Sequence, residues 1–141
     1  MILYVDTSAL VPLLIEEESS ASCGELWDSA DTVTTTRLAY VEAVAAVAQA
    51  ARLGRISLDE AAEAREVLEE LWSAIDIIEL DRVLMMSAAG LAVSHGLRGY
   101  DATHCAAAIA INDAELVAAT GGRQLLAAWR AEGVATWNAN T

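Results

Sequence analysis

The chain of 141 residues has no lysine, and all eight of its cationic side chains are arginines. Aspartate and glutamate together number 21, which gives a formal net charge of −13. Proteins bind phosphate chiefly through Lys and Arg, so this balance argues against a broad nucleic-acid-binding surface. A whole-chain sum can still conceal a local group of arginines. Clustered carboxylates can also hold a divalent metal, which reverses the local field toward phosphate.

Long hydrophobic runs are also missing, although 55% of the residues are hydrophobic. The Ala-rich stretches are interrupted by Glu, Gln, Arg or Asn before 18 residues are reached, so no membrane span is predicted. The first residues lack the basic segment of a signal peptide, and their apolar run stops at Asp6. We therefore expect a strand at this end and a cytoplasmic location.

Cysteine is scarce, and repeats and linkers are absent. Cys23 and Cys105 have no metal-ligand spacing and start no Cys-x-x-Cys pair, which is more typical of buried thiols than of a disulfide or a nucleophile. No Gly/Ser/Pro-rich segment divides the chain, and no period of 20 to 50 residues repeats. The length suits one domain, so we predict a single domain over residues 1–141.

The hydrophobic pattern predicts an alternation of strands and helices. Strands are predicted at 2–5, 32–35, 75–80, 115–119 and 134–137. Helices are predicted at 9–17, 21–29, 38–51, 58–72, 82–94, 101–111 and 124–131. The 38–51 helix is apolar all round and is expected to be largely buried, and Ser57 and Glu60 match a capping box. Strands separated by helices indicate a parallel sheet with right-handed crossovers, so the predicted fold is a three-layer α/β/α domain.

Three carboxylates stand where such a fold places its ligands, at the carboxyl ends of strands or the helix ends above them. Asp6 follows the first strand directly, and a carboxylate there is desolvated unless a cation meets it. Glu42 is the only ionised residue of the 38–51 helix, and Asp101 begins the helix after Arg98-Gly99-Tyr100. Each also has a structural explanation. Asp6 could turn the chain, with Ser8 as the N-cap, Glu42 could be solvated, and Asp101 could be an N-cap.

Three acids of this kind suit a hard divalent cation. Mg²⁺ and Mn²⁺ prefer oxygen ligands, and Mg²⁺ uses few carboxylates together with waters and substrate phosphate. Such an ion can orient a phosphodiester, lower the pKa of a bound water and stabilise the leaving oxygen. The expected chemistry is phosphodiester hydrolysis. Phosphoacceptor receivers and haloacid-dehalogenase-type phosphotransferases also place an Asp after the first strand, but they rely on a lysine that this chain lacks.

The surroundings of these acids resemble a known family. The sequence DTSAL at 6–10 after an apolar strand, RLAYVE at 37–42 and LRGYDATH at 97–104 are similar to PIN-domain proteins of the VapC type, which are toxin ribonucleases. The resemblance covers nearly the whole chain. It implies a PIN-like fold and metal-dependent endoribonuclease activity that leaves a 3′-hydroxyl. Asp6, Glu42 and Asp101 would be the acids that bind Mg²⁺ or Mn²⁺, supported by the hydroxyls of Thr7, Ser8 and Thr103.

The same resemblance implies partners, and it also exposes one departure. A homodimer, a cognate VapB-type antitoxin that blocks the acidic cleft, and a tRNA or ribosomal RNA substrate are expected. Arg98 and Arg123 flank the site and could hold RNA phosphate, although solvation would explain each equally well. Gly122 stands where the family often has a fourth acid, which makes a second metal position doubtful. The alternative function is therefore a catalytically weak PIN-like module that acts through a partner.

The two histidines are weaker candidates. His104 lies three residues after Asp101, on the same helical face, so it could ligate metal or pair with that acid. A core or supporting histidine is the more common situation, and the resemblance assigns no catalytic duty to this position. His95 at a helix end is most simply a partner of the helix dipole.

Overall fold

The computed structural model describes residues 1–141, and its centre is one sheet of five strands. The strands are β1 (Ile2–Val5), β2 (Thr32–Thr36), β3 (Asp76–Ile78), β4 (Leu116–Thr120) and β5 (Thr136–Asn138). All neighbours pair in parallel, in the order β3-β2-β1-β4-β5. Strand β1 is therefore central, and the predicted parallel sheet is confirmed.

Seven α-helices cover the two faces of this sheet. They are α1 (Thr7–Leu10), α2 (Ser20–Ser29), α3 (Leu38–Arg52), α4 (Leu58–Trp72), α5 (Arg82–His95), α6 (Gly99–Ala110) and α7 (Arg123–Ala131). Side chains alternate across β1, so Leu3 and Val5 face one core while Tyr4 faces the other. The first core contains buried residues of α1 to α4, and the second those of α5 to α7. The predicted three-layer α/β/α architecture is thus confirmed.

The predicted helix at 9–17 is wrong. Helix α1 begins at Thr7, because Asp6 caps it by accepting from the Ala9 N–H, and Ser8 is not the N-cap. A 3₁₀ turn (Val11–Leu13) follows it. Pro12 has no N–H to donate to the carbonyl four residues earlier, so an α-helix cannot continue regularly through this position.

The prediction that the 38–51 helix is largely buried is wrong, and α6 is the buried helix. Helix α3 exposes Val41, Ala45 and Gln49 along one stripe, whereas seven consecutive residues of α6, Ala102 to Ala108, are all buried. Alanine is tolerated in both settings, so an Ala-rich pattern does not separate a wholly buried helix from a half-exposed one. The predicted strand at 75–80 is also too long, since β3 covers only Asp76–Ile78.

Other local predictions are confirmed. Ser57 and Glu60 form a reciprocal capping box at the start of α4. Both cysteines are unpaired and buried, and burial raises the pKa of the Cys105 thiol to about 12, which leaves it without nucleophilic character at neutral pH. Not one of the helices has the length and apolar character needed to cross a lipid bilayer.

Candidate active site

A polar cleft of about 500 Å³ opens at the carboxyl ends of β1 and β4. Neighbouring parallel strands end at the same edge of the sheet, so the residues that follow them converge there. The structure brings all three predicted acids into this cleft. Its lining includes Asp6, Thr7, Ser8, Glu17, Glu42, Tyr100, Asp101, His104, Gly121, Gly122 and Asn140.

Asp6 is the most deeply placed acid, with only 6% of its surface exposed. Its Oδ1 accepts from the Ser8 hydroxyl (2.6 Å) and the Ala9 N–H (3.2 Å), and its Oδ2 accepts from the Thr120 hydroxyl (2.6 Å). Burial raises the pKa of Asp6 in spite of these donors and of nearby His104. The carboxylate is well oriented but short of positive charge.

Glu42 projects from the second turn of α3, and one of its two oxygens is held on both sides. Oε1 accepts from the Thr7 hydroxyl (2.8 Å) and from His104 Nε2 (2.8 Å), whereas Oε2 has no hydrogen-bond partner in the protein. Partial burial alone would raise the pKa of Glu42. The hydrogen bonds from His104 and Thr7 and the electrostatic attraction of His104 outweigh it, so the pKa lies below its usual value.

Asp101 lies in the first turn of α6 and is partly buried. Neither of its oxygens accepts a hydrogen bond from the protein, and it is not the N-cap, a position that Arg98 occupies. Burial raises the pKa of Asp101, and the negative charge of Asp6 raises it further. Of the three acids, Asp101 is thus the one whose charge no hydrogen bond of the protein stabilises.

The hydroxyls form a second set around Asp6. Ser8 Oγ accepts from the Gly121 N–H (2.7 Å) while it donates to Asp6, and Thr120 Oγ1 accepts from the Gly122 N–H (2.9 Å). The β1 and β4 ends are therefore tied together at the acid. Thr103, which the resemblance counted as a supporting residue, is not brought to the cleft. Its hydroxyl donates to the Gly99 carbonyl of its own helix (2.8 Å).

Arg98 and Arg123 lie beside the cleft and do not line it. Both are exposed. Arg98 donates to the Tyr100 hydroxyl (3.0 Å), one residue from Asp101, and Arg123 begins α7 directly after Gly122. We call these two exposed arginines the rim of the cleft.

Gly122 has room for the Cβ of a fourth acid. A Cβ built there would lie 3.4 Å from the Thr120 hydroxyl oxygen, an ordinary contact, and the φ of −84° suits any residue. Gly121 differs, since a Cβ there would approach the Asn140 side chain to 3.1 Å. The backbone at position 122 therefore does not require glycine.

The donor set of the cleft fits a hard cation. No three His, Cys, Asp or Glu side chains stand close enough to share a metal ion in this arrangement. Hydrogen bonds engage both oxygens of Asp6 and one oxygen of Glu42. The free oxygens are Oε2 of Glu42 and both of Asp101, and carboxylate oxygens are the ligands that Mg²⁺ and Mn²⁺ prefer.

Sequence reasoning missed two residues that shape the site. The Tyr4 hydroxyl lies 2.6 Å from His104 Nδ1 inside the core, and the Thr120 hydroxyl donates to Asp6. Thr120 could have been found, because it ends the strand next to β1. His104 does pair with an acid, but the acid is Glu42 of α3 and not its helix neighbour Asp101. His95 pairs with Glu132 (2.8 Å).

Comparison with known proteins assigns the family. The model of the PIN domain matches residues 3–128. The chain is a PIN-domain protein of the VapC family. It is 40% identical over 124 residues to Ribonuclease VapC45 and to Ribonuclease VapC49, each from a strain of Mycobacterium tuberculosis, and the match covers 88% of this chain and 86% of either relative.

Solved structures agree on the fold. PAE2754 from Pyrobaculum aerophilum superposes with a TM-score of 0.71 at 27% identity, over 96% of this chain and 83% of that one. VapBC2 from Rickettsia felis, bound to a promoter DNA fragment, gives 0.67 at 16% identity over 98% of each chain. VapC20 from M. tuberculosis, a Sarcin-Ricin loop cleaving toxin, gives 0.66 at 21% identity over 89% and 94%.

Replacing Asp101 by Asn should stabilise the metal-free VapC-family protein at neutral pH. Because the pKa of Asp101 is raised on folding, the unfolded chain loses this proton first, and stability falls as pH rises from about the unfolded value of 3.8 through the folded pKa. Urea unfolding in EDTA should show equal stability near pH 3 and an advantage for Asp101→Asn at pH 7. Asp28→Asn, an exposed change of equal charge on α2, is the control, and an equal gain there would contradict the prediction.

Proposed function

We propose that this VapC-family protein is a metal-dependent endoribonuclease, the toxin of a toxin–antitoxin pair. The observation that carries the proposal is the convergence of Asp6, Glu42 and Asp101 in one cleft at the strand ends. Two relatives at 40% identity are named ribonucleases.

Asp6, Glu42 and Asp101 are the residues that would hold Mg²⁺ or Mn²⁺. When bound, such an ion supplies positive charge to a phosphodiester and lowers the pKa of a water that can attack it. The chain's own residues prepare this site. Ser8 and Thr120 fix the direction of the Asp6 carboxylate, Thr7 fixes that of Glu42, and Gly122 adds no side chain to the cleft lining.

The substrate we propose is a structured RNA with an accessible loop, such as a tRNA or a ribosomal RNA. VapC20, which shares this fold, is described as a toxin that cleaves the Sarcin-Ricin loop. The cleft is open and lined by polar groups, without a platform of aromatic side chains for stacking bases. Recognition by shape and backbone suits such a surface better than base-by-base reading.

A cognate VapB-type antitoxin is the proposed protein partner. VapBC2 of R. felis, with the same fold, is a complex bound to promoter DNA. The cleft suits an arginine-bearing segment, because a guanidinium binds a carboxylate through two parallel hydrogen bonds, and Asp101 has both oxygens free.

A homodimer is proposed from the outer face of α5. Val83, Met86 and Val93 are 75%, 67% and 87% exposed. With Gly90 between them they are spaced by three, four and three residues, the apolar seam of helices that pack along their length. Exposed apolar side chains of this size along one face of a helix are typical of an interaction surface.

A catalytically weak binding module is the second candidate, because Gly122 removes the fourth acid. The two functions differ in one experiment. Purified protein is incubated with total RNA and Mn²⁺, and the new 5′ and 3′ ends are mapped. Discrete cuts with 3′-hydroxyl ends support the ribonuclease, and intact RNA that is retained by the protein supports the binding module.

Replacing Asp6 by Asn should abolish cleavage while the fold is retained. The amide keeps one oxygen for the Ala9 N–H, and the hydroxyls of Ser8 and Thr120 can rotate, but a charged metal ligand is lost. RNA cleavage and circular dichroism are measured side by side, with Asp28→Asn as the charge-matched control. Cleavage by Asp6→Asn at the parent rate would remove this residue from the site.

Without RNA, the parent should bind one Mn²⁺ firmly, and Gly122→Asp should add a second. Three acids suffice for one ion, and position 122 accepts a side chain without strain. Calorimetry gives the stoichiometry, and a hundredfold excess of Mn²⁺ over Kd should stabilise the parent by about 2.7 kcal/mol. Two tight sites in the parent would contradict the prediction.

Replacing Arg98 or Arg123 by Ala should weaken RNA binding and flatten its salt dependence. Each lost phosphate contact on a single strand lowers the slope of log K against log salt by about 0.7. Binding is measured in EDTA, so that only the rim contributes, with Arg65→Ala on α4 as the control. Unchanged affinity and slope in both rim variants would place the RNA-binding surface elsewhere.

Replacing Met86 by Glu should convert a dimer to a monomer. The substitution puts a charge in the middle of the apolar row on α5, where burial would leave it unpaired. Sedimentation velocity measures the mass. Leu58→Glu is the control, because Leu58 is 82% exposed but lies on α4. A dimer that survives Met86→Glu would move the interface to another face.

A further inference from the structure

A buried chain of hydrogen bonds runs from the core of the sheet to the active cleft. The Tyr4 hydroxyl lies 2.6 Å from His104 Nδ1, and His104 Nε2 lies 2.8 Å from Glu42 Oε1. Tyr4 is fully buried and His104 is 1% exposed. The two rings meet edge to face, with centroids 5.9 Å apart, and Tyr4 meets Trp129 in the same way at 5.7 Å. The imidazole therefore has little freedom to turn.

The direction of these bonds follows from the donors. A carboxylate only accepts, so His104 Nε2 donates to Glu42, and in the neutral ring Nδ1 is left to accept from the Tyr4 hydroxyl. Burial raises the pKa of Tyr4 well above its usual value, so the phenol keeps its proton to donate. The Tyr4 hydroxyl, both ring nitrogens of His104 and Oε1 of Glu42 therefore all have hydrogen-bond partners.

The bond from His104 also joins the two layers of the fold. His104 belongs to α6 in one core, and Glu42 belongs to α3, which packs on the opposite face. Asp101 lies one turn before His104 on α6. One hydrogen bond therefore connects the helices that carry two of the three acids, and it engages Oε1 of Glu42 so that Oε2 is the oxygen left free.

We propose that His104, oriented by Tyr4, is a positioning residue that presents Glu42 Oε2 to the divalent metal beside Asp101. The inference rests on the proposed metal-dependent function and adds to it. Groups that hydrogen-bond to a metal-ligating carboxylate orient that ligand, and their loss typically weakens metal binding by about 10- to 100-fold.

Two conservative variants separate positioning from packing. His104→Gln places an amide N–H near the position of Nε2 and keeps the donor to Glu42. His104→Asn places its polar atoms near Nδ1, so it keeps the Tyr4 contact and loses the one to Glu42. His95→Leu breaks a His–Glu pair of the same 2.8 Å length outside the cleft and is the matched control. The readouts are the Mn²⁺ dissociation constant without RNA and the stability in EDTA.

We expect His104→Asn to bind Mn²⁺ about 10- to 100-fold more weakly than the parent, and His104→Gln to lie within about threefold of it. Stability in EDTA should not follow that order, and His95→Leu should bind Mn²⁺ like the parent. If the parent binds Mn²⁺ and cleaves RNA but His104→Asn binds equally tightly, the inference fails alone. If the parent binds no Mn²⁺, the proposed function fails and the inference with it.

Discussion

The Asp6 carboxylate lies almost out of contact with water at the end of the central strand, and folding must replace the water that it loses. Its donors come from two places, the turn into α1 and the end of β4 at Thr120. A buried carboxylate without such donors would destabilise the fold by about 1–3 kcal/mol or more. Strands β1 and β4 must therefore be adjacent and parallel for the acid to be tolerated, so the sheet order and the site depend on the same contacts.

The three acids of the cleft differ in how far hydrogen bonds and nearby positive groups stabilise their charged forms. Glu42 has a histidine and a hydroxyl, and its pKa is lowered, whereas burial raises the pKa of Asp6 and of Asp101. Arg98 and Arg123 both lie on the rim, and the guanidinium of Arg98 is hydrogen-bonded to Tyr100. The electrostatic attraction of His104 to these two acids, and of Arg98 to Asp101, does not offset their burial, so their pKa values stay raised. The proposed metal ion and the proposed antitoxin arginine would each supply positive charge to the same carboxylates, so one cleft would serve both partners.

The sequence predicted the features that depend on residues close together in the chain or on the positions of strand ends. Asp6 and Asp101 could be placed because parallel strands end at one edge, and the Ser57 capping box because its groups are three residues apart. The partner of Glu42 could not be found in this way. His104 is 62 residues away and belongs to the opposite layer, so only the packing of both layers on the sheet reveals the pair. The short α1 was missed because the prediction allowed Pro12 inside a longer helix.

The many alanines of the sequence determine how closely the helices pack on the sheet. Both α3 and α6 pack against β2, from opposite sides of the sheet, and their buried positions are largely alanine. Small side chains let a helix approach a sheet closely, and close-packed interiors shift when side-chain volume is added. The separation of α3 and α6 is thus set by residues such as Ala43 and Ala106, which do not line the cleft. A hydrogen bond of 2.8 Å between Glu42 and His104 forms only at that separation. The alanines that make burial hard to read from the sequence are therefore also residues that let Glu42 and His104 reach each other.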